Sequence, residues 1–345
     1  MSSGRVTVIL ADRSLSVRAV LRRLLEQAPE IEVVGDSNDG REVARLAAEK
    51  KPSAIVLDLD LPSLGGRALV KRITAGGRIP IFALTPKRSR ENTRTAMSLH
   101  NLGVVAVFAK PESTSEWNTL GQTLSEAVRH VGFESGVGEG VSPEPDDTPE
   151  ISRELRYVAV GASTGGPGAL YELLAAVGRR TRVGLAVVQH IAQGFEGALA
   201  EWLTTELGMD VAVARHGERL GSGKVRVAPS GHHMLVDRGG VLRLDQLAAP
   251  VGGHRPAVEV LFRSLYDQPP NRVAAVLLSG MGSDGAEAMA RLRSANVLTV
   301  VQSEASCAVY GMPRAAIDRR AATYALAPPQ IGRLLARAGR AKADE

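Results

Sequence analysis

Unbroken apolar runs alternate with helix-periodic segments through the first 132 residues of the chain. Runs such as Ala54–Leu57 contain no polar position, which is typical of parallel strands in a sheet covered on both faces. The pattern predicts a doubly wound, flavodoxin-like α/β domain of five strands and five helices, with its sites at the carboxyl ends of the strands. The predicted strands are Val6–Leu10, Ile31–Val34, Ile55–Leu59, Ile79–Leu84 and Val104–Phe108.

A stretch rich in Gly, Pro, Ser and acidic residues separates the two halves of the 345-residue chain. Residues 133–152 contain six acidic and no basic side chains and almost nothing to bury, which predicts a flexible acidic linker. Residues 153–345 show a second α/β pattern with a mainly parallel sheet. Its predicted strands are Tyr157–Val160, Val183–Val188, Val211–Ala214, Val225–Ala228, Val241–Leu244, Val273–Leu278 and Leu298–Val301.

Composition argues against several classes of protein. Cys307 is the only cysteine, which excludes an internal disulfide and a multi-cysteine zinc site. The net charge is +5, but the basic residues are scattered and aromatics make up only 3%, so we expect no nucleic-acid partner. No apolar stretch is long enough for a signal peptide or a membrane span, so we expect a soluble, cytoplasmic protein that is not inserted in a membrane. His232, His233 and His254 lack the spacing of a metal site, and we expect them on the surface or in loops.

Ser163 stands in the pattern G-x-S-x-G, between Gly161 and Gly165, directly after a predicted strand and before a predicted helix. In such a turn the glycines relieve crowding and the serine oxygen points outward, as a nucleophile requires. The same residues also suit a glycine-rich phosphate cradle at a helix N-terminus, or a serine or threonine that only caps the helix. This segment alone leaves those alternatives open.

His190 and Asp284 also follow apolar runs, and with Ser163 they supply the side chains of a catalytic triad. A serine hydroxyl needs an imidazole to take its proton and a carboxylate to orient that imidazole. The general α/β-hydrolases have the chain order serine, acid, histidine. Here the histidine comes second, so an ordinary α/β-hydrolase is disfavoured.

Five ordered segments closely resemble the catalytic domain of the chemotaxis-receptor methylesterases, the CheB family. They are GASTGGP at 161–167, QH at 189–190, HRPAVEVLFRSL at 254–265, SGMGSDGA at 279–286 and YGMPRAA at 310–316. The resemblance implies a hydrolase that removes methyl groups from glutamate methyl esters on chemoreceptors and often deamidates receptor glutamines. This chemistry requires no metal or organic cofactor.

The same resemblance implies a role for each residue of the site. Ser163 is the nucleophile, His190 is its general base and later acid, and Asp284 orients His190. The backbone near Thr164 and Met281 is the candidate oxyanion hole. The implied substrate partner is a methylated chemoreceptor.

Residues 1–132 resemble a response-regulator receiver domain. Asp58 matches the phosphoacceptor aspartate, Thr85 the switch hydroxyl, and Lys110 the lysine that contacts the phosphoryl group. Asp58 alone is also consistent with a cap on the next helix. The presence of Thr85 and Lys110 at the ends of other strands favours phosphoacceptance. The implied phosphodonor is a chemotaxis histidine kinase.

The end of the first strand departs from the receiver family, which normally has two adjacent acids there to hold Mg²⁺. Asp12 occupies the position of the first acid and Arg13 that of the second, so that Asp12 and Asp58 remain as Mg²⁺ ligands and we expect weak affinity. The other departures are Gly65, Pro86 and Val107.

Two hypotheses on regulation follow. In the first, phosphoryl transfer to Asp58 shifts Thr85 and loosens the receiver's cover over Ser163. In the second, Arg13 partly mimics the cation, pairs with Asp58 or Asp12, and holds one state without phosphate.

Two other classes of function compete with the hydrolase. A non-catalytic signalling adaptor would use degenerate domains only to bind partners, and the altered receiver is consistent with it. A nucleotide-binding protein would use the Gly161–Gly168 loop, which lacks the lysine of a Walker loop. The intact serine, histidine and aspartate favour the enzyme.

Overall fold

The computed structural model describes residues 5–77, 79–86, 90–134, 148–149 and 154–338. The chain divides into two compact units, Met1–Val141 and Ser142–Glu345. Most of the predicted acidic linker at 133–152 lies outside the described residues. None of the helices in the described ranges has both the length and the apolar character that a membrane crossing needs.

The N-terminal unit is a parallel sheet with the strand order β2-β1-β3-β4-β5. Helices alternate with the strands, which confirms the predicted doubly wound architecture. Strand β3 is buried at every position, as its unbroken apolar sequence predicts. The strands are β1 (Val6–Ala11), β2 (Ile31–Ser37), β3 (Ala54–Asp58), β4 (Ile81–Pro86) and β5 (Val104–Lys110). The helices are α1 (Leu15–Leu25), α2 (Gly40–Lys50), α3 (Gly66–Thr74), α4 (Arg90–Ser98) and α5 (Thr114–Glu134).

Helix α1 shows how local sequence sets these elements. Ser14 caps its N-terminus by accepting a hydrogen bond from the Val17 amide at 3.4 Å. Leu21, Leu24 and Leu25 are buried on one face, at the spacing of an amphipathic helix. The cap fixes where the helix begins, and with it the short loop between β1 and α1.

The C-terminal unit is a larger parallel sheet with the strand order β14-β13-β12-β6-β7-β9-β8. A buried core fills the space between one face of this sheet and helices α8, α9 and α10. The strands are β6 (Tyr157–Ala162), β7 (Gly184–Gln189), β8 (Asp210–Val213), β9 (Lys224–Val227), β10 (His233–Val236), β11 (Leu242–Asp245), β12 (Val273–Leu277), β13 (Leu298–Gln302) and β14 (Tyr324–Leu326). The helices are α6 (Gly166–Val177), α7 (Glu196–Leu207), α8 (Val258–Arg263), α9 (Ala286–Ser294), α10 (Met312–Asp318) and α11 (Pro328–Ala338).

The strand order changes direction at β6. The chain passes from β6 to β7 on one side and later returns to β12 on the other side. Gly161 is opposite both Val188 and Leu277 in the register, so the three strands end at the same level. In open α/β sheets the crevice at such a switch point is the usual ligand site.

Strands β10 and β11 form a separate antiparallel hairpin, of which the sequence predicted only β11. His233 lies in β10 and is 1% exposed. Its Nδ1 accepts a hydrogen bond from the Ala257 amide at 3.2 Å, and its Nε2 lies 3.0 Å from the Ala249 carbonyl. The expectation that His233 lies on the surface or in a loop is therefore wrong. The neighbouring apolar side chain of Met234 is fully buried, so the strand belongs to the core.

Candidate active site

Ser163, His190 and Asp284 lie at the carboxyl ends of three adjacent strands. Ser163 directly follows β6, His190 directly follows β7, and Asp284 lies in the loop between β12 and α9. Because β6 lies between β7 and β12, the sheet brings these three residues to one edge. The His190 amide also donates to the Ala162 carbonyl at 2.9 Å, which extends the β6–β7 pairing up to the serine.

The turn around Ser163 depends on glycines. Gly165 has a φ of +78°, a left-handed conformation that favours glycine. A Cβ at Gly280 would lie 2.7 Å from the Ser163 Cβ, so glycine allows the β12–α9 loop to approach the serine. The Ser163 amide donates to the Ser279 carbonyl at 3.0 Å. The result is a sharp strand-to-helix turn that leaves the Ser163 side chain half-buried.

The His190 imidazole faces the Asp284 carboxylate. Its Nε2 lies 2.9 Å from Asp284 Oδ2, although the ring is not aligned along the N–H direction for a hydrogen bond. The other ring nitrogen, Nδ1, is buried and has no partner in the described part of the chain. No hydrogen bond joins Ser163 Oγ to the imidazole among these residues. The imidazole is therefore held on its Asp284 side, and its second nitrogen is unpaired.

The N-terminus of α8 fixes the Asp284 carboxylate. Oδ2 accepts from the Val258 amide at 2.7 Å, and Oδ1 accepts from the Glu259 amide at 2.9 Å. Burial alone would raise the pKa of Asp284, but the His190 contact and the two amide donors outweigh burial, so its pKa lies below the ordinary value. Asp284 is therefore ionised at neutral pH.

Glu259 makes the reciprocal contact from α8 to α9. Its Oε2 accepts from the Ala288 amide at 3.0 Å, and its Oε1 accepts from Arg263 Nε at 3.0 Å. Asp284 precedes α9 and caps α8, whereas Glu259 belongs to α8 and caps α9. The two acids therefore link the N-termini of α8 and α9. The same hydrogen bonds fix the position of the Asp284 carboxylate.

His254 stacks on His190, with ring centroids 3.9 Å apart and ring planes 7° from parallel. This contact covers one face of a residue that is otherwise exposed. The partial burial and the neighbouring His190 lower the pKa of His254, against an opposing effect of Asp284. His254 does lie in a loop, as expected, but sequence reasoning missed its place beside the triad. Its presence in the segment at 254–265 was the available signal.

Thr164 and Met281, the predicted oxyanion-hole residues, both lie next to Ser163. Thr164 follows the serine in the chain, and Met281 follows Gly280, at which an added Cβ would lie 2.7 Å from the Ser163 Cβ. Neither backbone amide donates a hydrogen bond to another described residue. Unpaired N–H groups beside a nucleophile suit the oxygen of a tetrahedral intermediate.

Three buried polar side chains support these strand ends, and sequence reasoning missed them. Gln189 Nε2 donates to the Ser163 carbonyl at 2.7 Å, and Ser279 Oγ donates to the Thr164 carbonyl at 2.8 Å. Gln302 Oε1 accepts from the Ser279 amide at 2.7 Å. Gln189 and Gln302 are the last residues of otherwise apolar or nearly apolar strands, and this position was the signal in the sequence.

The N-terminal unit brings Asp12, Asp58, Thr85 and Lys110 to one edge of its sheet. Lys110 Nζ lies 2.6 Å from Asp58 Oδ2 as a hydrogen bond, and 2.7 Å from Asp12 Oδ2 as an ion pair without hydrogen-bond alignment. Both carboxylates are buried, and one ammonium group bridges them. The Thr85 hydroxyl is also buried and has no partner among the described residues.

Arg13 contributes a second cation at Asp58. Its Nε lies 3.9 Å from Asp58 Oδ2, and its side chain is 61% exposed, so the ion pair is weak. The possibility that Asp58 caps the next helix is wrong, because among the described residues its carboxylate accepts hydrogen bonds from the Asp60 amide and Lys110 Nζ and from no amide of α3. Asp58 Oδ1 instead accepts a hydrogen bond from the Asp60 amide at 3.1 Å.

Asp12 and Asp58 form a donor set that fits Mg²⁺, which proteins usually hold with one or two carboxylates plus phosphate oxygens. Within the described ranges, no group of three or more His, Cys, Asp or Glu side chains gathers to hold a metal. Arg13 adds positive charge beside the two carboxylates. The residues present therefore fit the ion, and the low affinity that the sequence predicts stays a prediction.

The fold and the two sites define a class: an α/β catalytic unit with a serine at a strand-end turn, in one chain with a signal-receiver unit. Comparison with known families agrees. Residues 8–119 match the response regulator receiver domain, and residues 158–335 match the CheB methylesterase. The chain belongs to the CheB methylesterase family.

Relatives resemble the chain over nearly its whole length. A protein-glutamate methylesterase/protein-glutamine glutaminase 2 of Anaeromyxobacter dehalogenans is 36% identical over 332 residues, 96% of either chain. The protein of the same name from Methanospirillum hungatei is 35% identical and covers 96% of this chain and 97% of its own. The crystal structure of the Thermotoga maritima CheB methylesterase catalytic domain is 28% identical, with a TM-score of 0.50, and covers 53% of this chain and 98% of its own.

Proposed function

We propose that the protein hydrolyses glutamate methyl esters on methylated chemoreceptors, with Ser163 as the nucleophile. As a member of its family, the chain is a methylesterase of chemotaxis with a regulatory receiver domain. The observation that carries the assignment of residues is the 2.9 Å contact between His190 and Asp284, one strand away from the turn that bears Ser163.

The proposed reaction has two halves. Ser163 Oγ attacks the ester carbonyl and passes its proton to His190, and the carbon–methoxy bond then breaks as methoxide takes that proton and leaves as methanol. Water next attacks the glutamyl-serine ester and gives its proton to His190, which returns it to Ser163 as glutamate leaves. Nε2 faces Asp284, so Nδ1 is the nitrogen that serves Ser163.

Ionised Asp284 stabilises the imidazolium that forms in each half of the reaction. The unpaired amides of Thr164 and Met281 are proposed to hold the oxyanion, because each lies beside the serine and donates to no other described residue. Together these groups stabilise the positive charge on the imidazolium and the negative charge on the oxyanion.

Methanol release from a methylated chemoreceptor fragment tests this function. The full chain is expected to release more methanol than its own molar amount, matched by the ester lost from the fragment. His190→Ala is expected to release almost none. A non-catalytic adaptor, the competing proposal, predicts that the fragment binds and no methanol appears.

The same groups suit deamidation of receptor glutamines, because an amide carbonyl passes through the same tetrahedral oxyanion and ammonia leaves in place of methanol. The relatives carry both activities in their names. Ammonia release from a fragment that carries the glutamine tests this second activity. It is expected to be lost together with methanol release in His190→Ala.

Asp58 is the proposed phosphoacceptor, with a chemotaxis histidine kinase as the donor. The 2.6 Å contact with Lys110 and the nearby Thr85 hydroxyl support this role. Mg²⁺ held by Asp12 and Asp58 would neutralise the charge of the phosphoryl group during transfer. Because both proposed partners are proteins of chemotaxis signalling, we propose that the protein acts in the cytoplasm.

Acetyl phosphate distinguishes the two hypotheses on regulation. If Asp58 accepts phosphate, the protein gains mass in the presence of Mg²⁺, and Asp58→Asn does not. No gain in mass would leave the hypothesis in which Arg13 partly replaces the cation. The 3.9 Å contact between Arg13 and Asp58 supports that second hypothesis.

A further inference from the structure

Gln189 is a buried glutamine that joins the backbones of Ser163 and His190. It is the last residue of β7 and is 4% exposed. Its Nε2 donates to the Ser163 carbonyl at 2.7 Å and to the His190 carbonyl at 3.0 Å. One side-chain amide therefore contacts the backbones of both residues between which the proposed proton transfer takes place.

The other end of the same amide is unsatisfied. Gln189 Oε1 is buried and has no hydrogen-bond partner among the described residues. An unpaired buried amide oxygen costs free energy, whereas a methionine of similar length would not incur this cost. A Cβ at Gly166 would lie 2.2 Å from Oε1, so the glycine leaves room for the amide. The two donated hydrogen bonds offset this cost, and both end on the backbone of residues in the proposed catalytic triad.

Few other contacts fix the separation of Ser163 and His190. The hydrogen bond from the His190 amide to the Ala162 carbonyl, at 2.9 Å, is the one at the end of the β6–β7 pairing. No side-chain hydrogen bond joins the two residues within the described ranges. The hydrogen bond from the Gln189 amide links β7 to the chain that follows β6 one residue beyond Ala162, at Ser163 itself.

We propose that Gln189 is a positioning residue for the ester hydrolysis, and that it sets the distance and orientation between the Ser163 hydroxyl and the His190 imidazole. This inference rests on the proposed function. A displacement of about 1 Å between reacting groups costs about 100-fold in rate, so the loss of both hydrogen bonds is expected to lower kcat by about 10- to 100-fold. Gln189 is buried, so we expect no contact with the substrate and a KM within about twofold of the parent.

Gln189→Met removes both donors and the unpaired oxygen while it fills the same space. The expected result is a lower kcat and an unchanged KM. Because the carbonyls of Ser163 and His190 lose a donor, the thermal unfolding temperature is expected to fall about as much as in Gln268→Met, where two carbonyls also lose a donor. Gln268→Met is the matched control, because Gln268 is also buried and its Nε2 also donates to two carbonyls, those of Val236 and Asp237, at 3.4 and 2.7 Å. Gln268→Met is expected to keep the kcat of the parent.

Gln189→Leu provides a second variant, because it also removes both donors and the unpaired oxygen. It is also expected to lower kcat, and it decides the question if Gln189→Met does not fold. A parent protein that releases no methanol refutes the proposed function. A parent that turns over normally, with both variants at its kcat, overturns the positioning role alone.

Discussion

Replacing Asp284 by alanine is expected to destabilise the C-terminal unit as well as remove activity. The carboxylate accepts hydrogen bonds from the amides of Val258 and Glu259, residues that are 0% and 6% exposed. A buried amide left without an acceptor costs about 1–3 kcal/mol, so the two together cost about 2–6 kcal/mol. Water that enters the space left by the side chain brings the expected loss to about 2 kcal/mol, the lower end of that range.

Urea unfolding of the full chain measures this loss. The chain has two tryptophans, and Trp202 is buried in the C-terminal unit. A Trp117→Phe background therefore makes fluorescence report on that unit. In this background Asp284→Ala is expected to unfold at lower urea. Ser163→Ala is the control, because the Ser163 hydroxyl has no hydrogen-bond partner in the part of the chain that the structure describes. Its stability is expected to stay within about 0.5 kcal/mol of the parent.

The pH dependence of this difference follows from the lowered pKa of Asp284. A carboxyl group whose pKa is lowered by folding stabilises the fold fully above its ordinary value of 3.8, and loses that contribution as the pH falls through the lower folded value. The gap between the parent and Asp284→Ala is therefore expected to be full at pH 7 and to narrow in acid below pH 3.8. Equal urea midpoints at pH 7 would refute the reasoning.

Three further perturbations have defined outcomes. Arg13→Asp replaces a cation by an acid beside Asp58 and is expected to tighten Mg²⁺ binding about tenfold or more in a metal titration; an unchanged affinity would contradict the weak-site account. His254→Ala removes the ring stacked on His190 and is expected to lower kcat about 2- to 10-fold, whereas His254→Phe keeps it; equal rates for both would exclude a role for stacking. Gly161→Ala would place a Cβ 2.3 Å from Val258 Cγ1, and a loss of about 1–3 kcal/mol is expected in urea unfolding. A parent-like midpoint would show that the turn tolerates a side chain.

The sequence was sufficient to predict all five strands of the first sheet and six of the seven strands of the second, which lacked only β14. Apolar runs such as Ala54–Leu57 are typical of strands inside a covered parallel sheet, and their alternation with helix-periodic segments predicted the fold class. Strands β10 and β14 were missed because each is short, and β14 has only three residues. Short elements depend on tertiary contacts, which a local pattern does not contain.

Contacts between distant segments could not be predicted from the sequence. Spacing placed Asp284 after a strand, but its hydrogen bonds to α8 join residues 25 and 26 positions apart. The stacking of His254 on His190 also depends on how the loop before α8 folds back over the sheet. Gln189 gave a weak signal, because a polar residue at a strand end is equally consistent with solvent exposure.

The sequence shows Arg13 where the receiver family has an acid. It did not show how strongly that arginine acts on Asp58. The structure places Arg13 3.9 Å from Asp58 with most of its side chain exposed, while Lys110 makes the closer contacts with both carboxylates. A sequence records that a charge has changed, whereas its effect depends on distance and exposure.

Methanol release by Ser163→Ala tests the central claim of this account most directly. The full-length variant and the parent are compared on the same methylated receptor fragment, with Ser294→Ala, an exposed serine at the end of α9, as the matched control. The account predicts that Ser163→Ala loses at least about 1,000-fold in kcat with an unchanged unfolding midpoint, while Ser294→Ala equals the parent. A folded Ser163→Ala protein that releases methanol at the rate of the parent would contradict it.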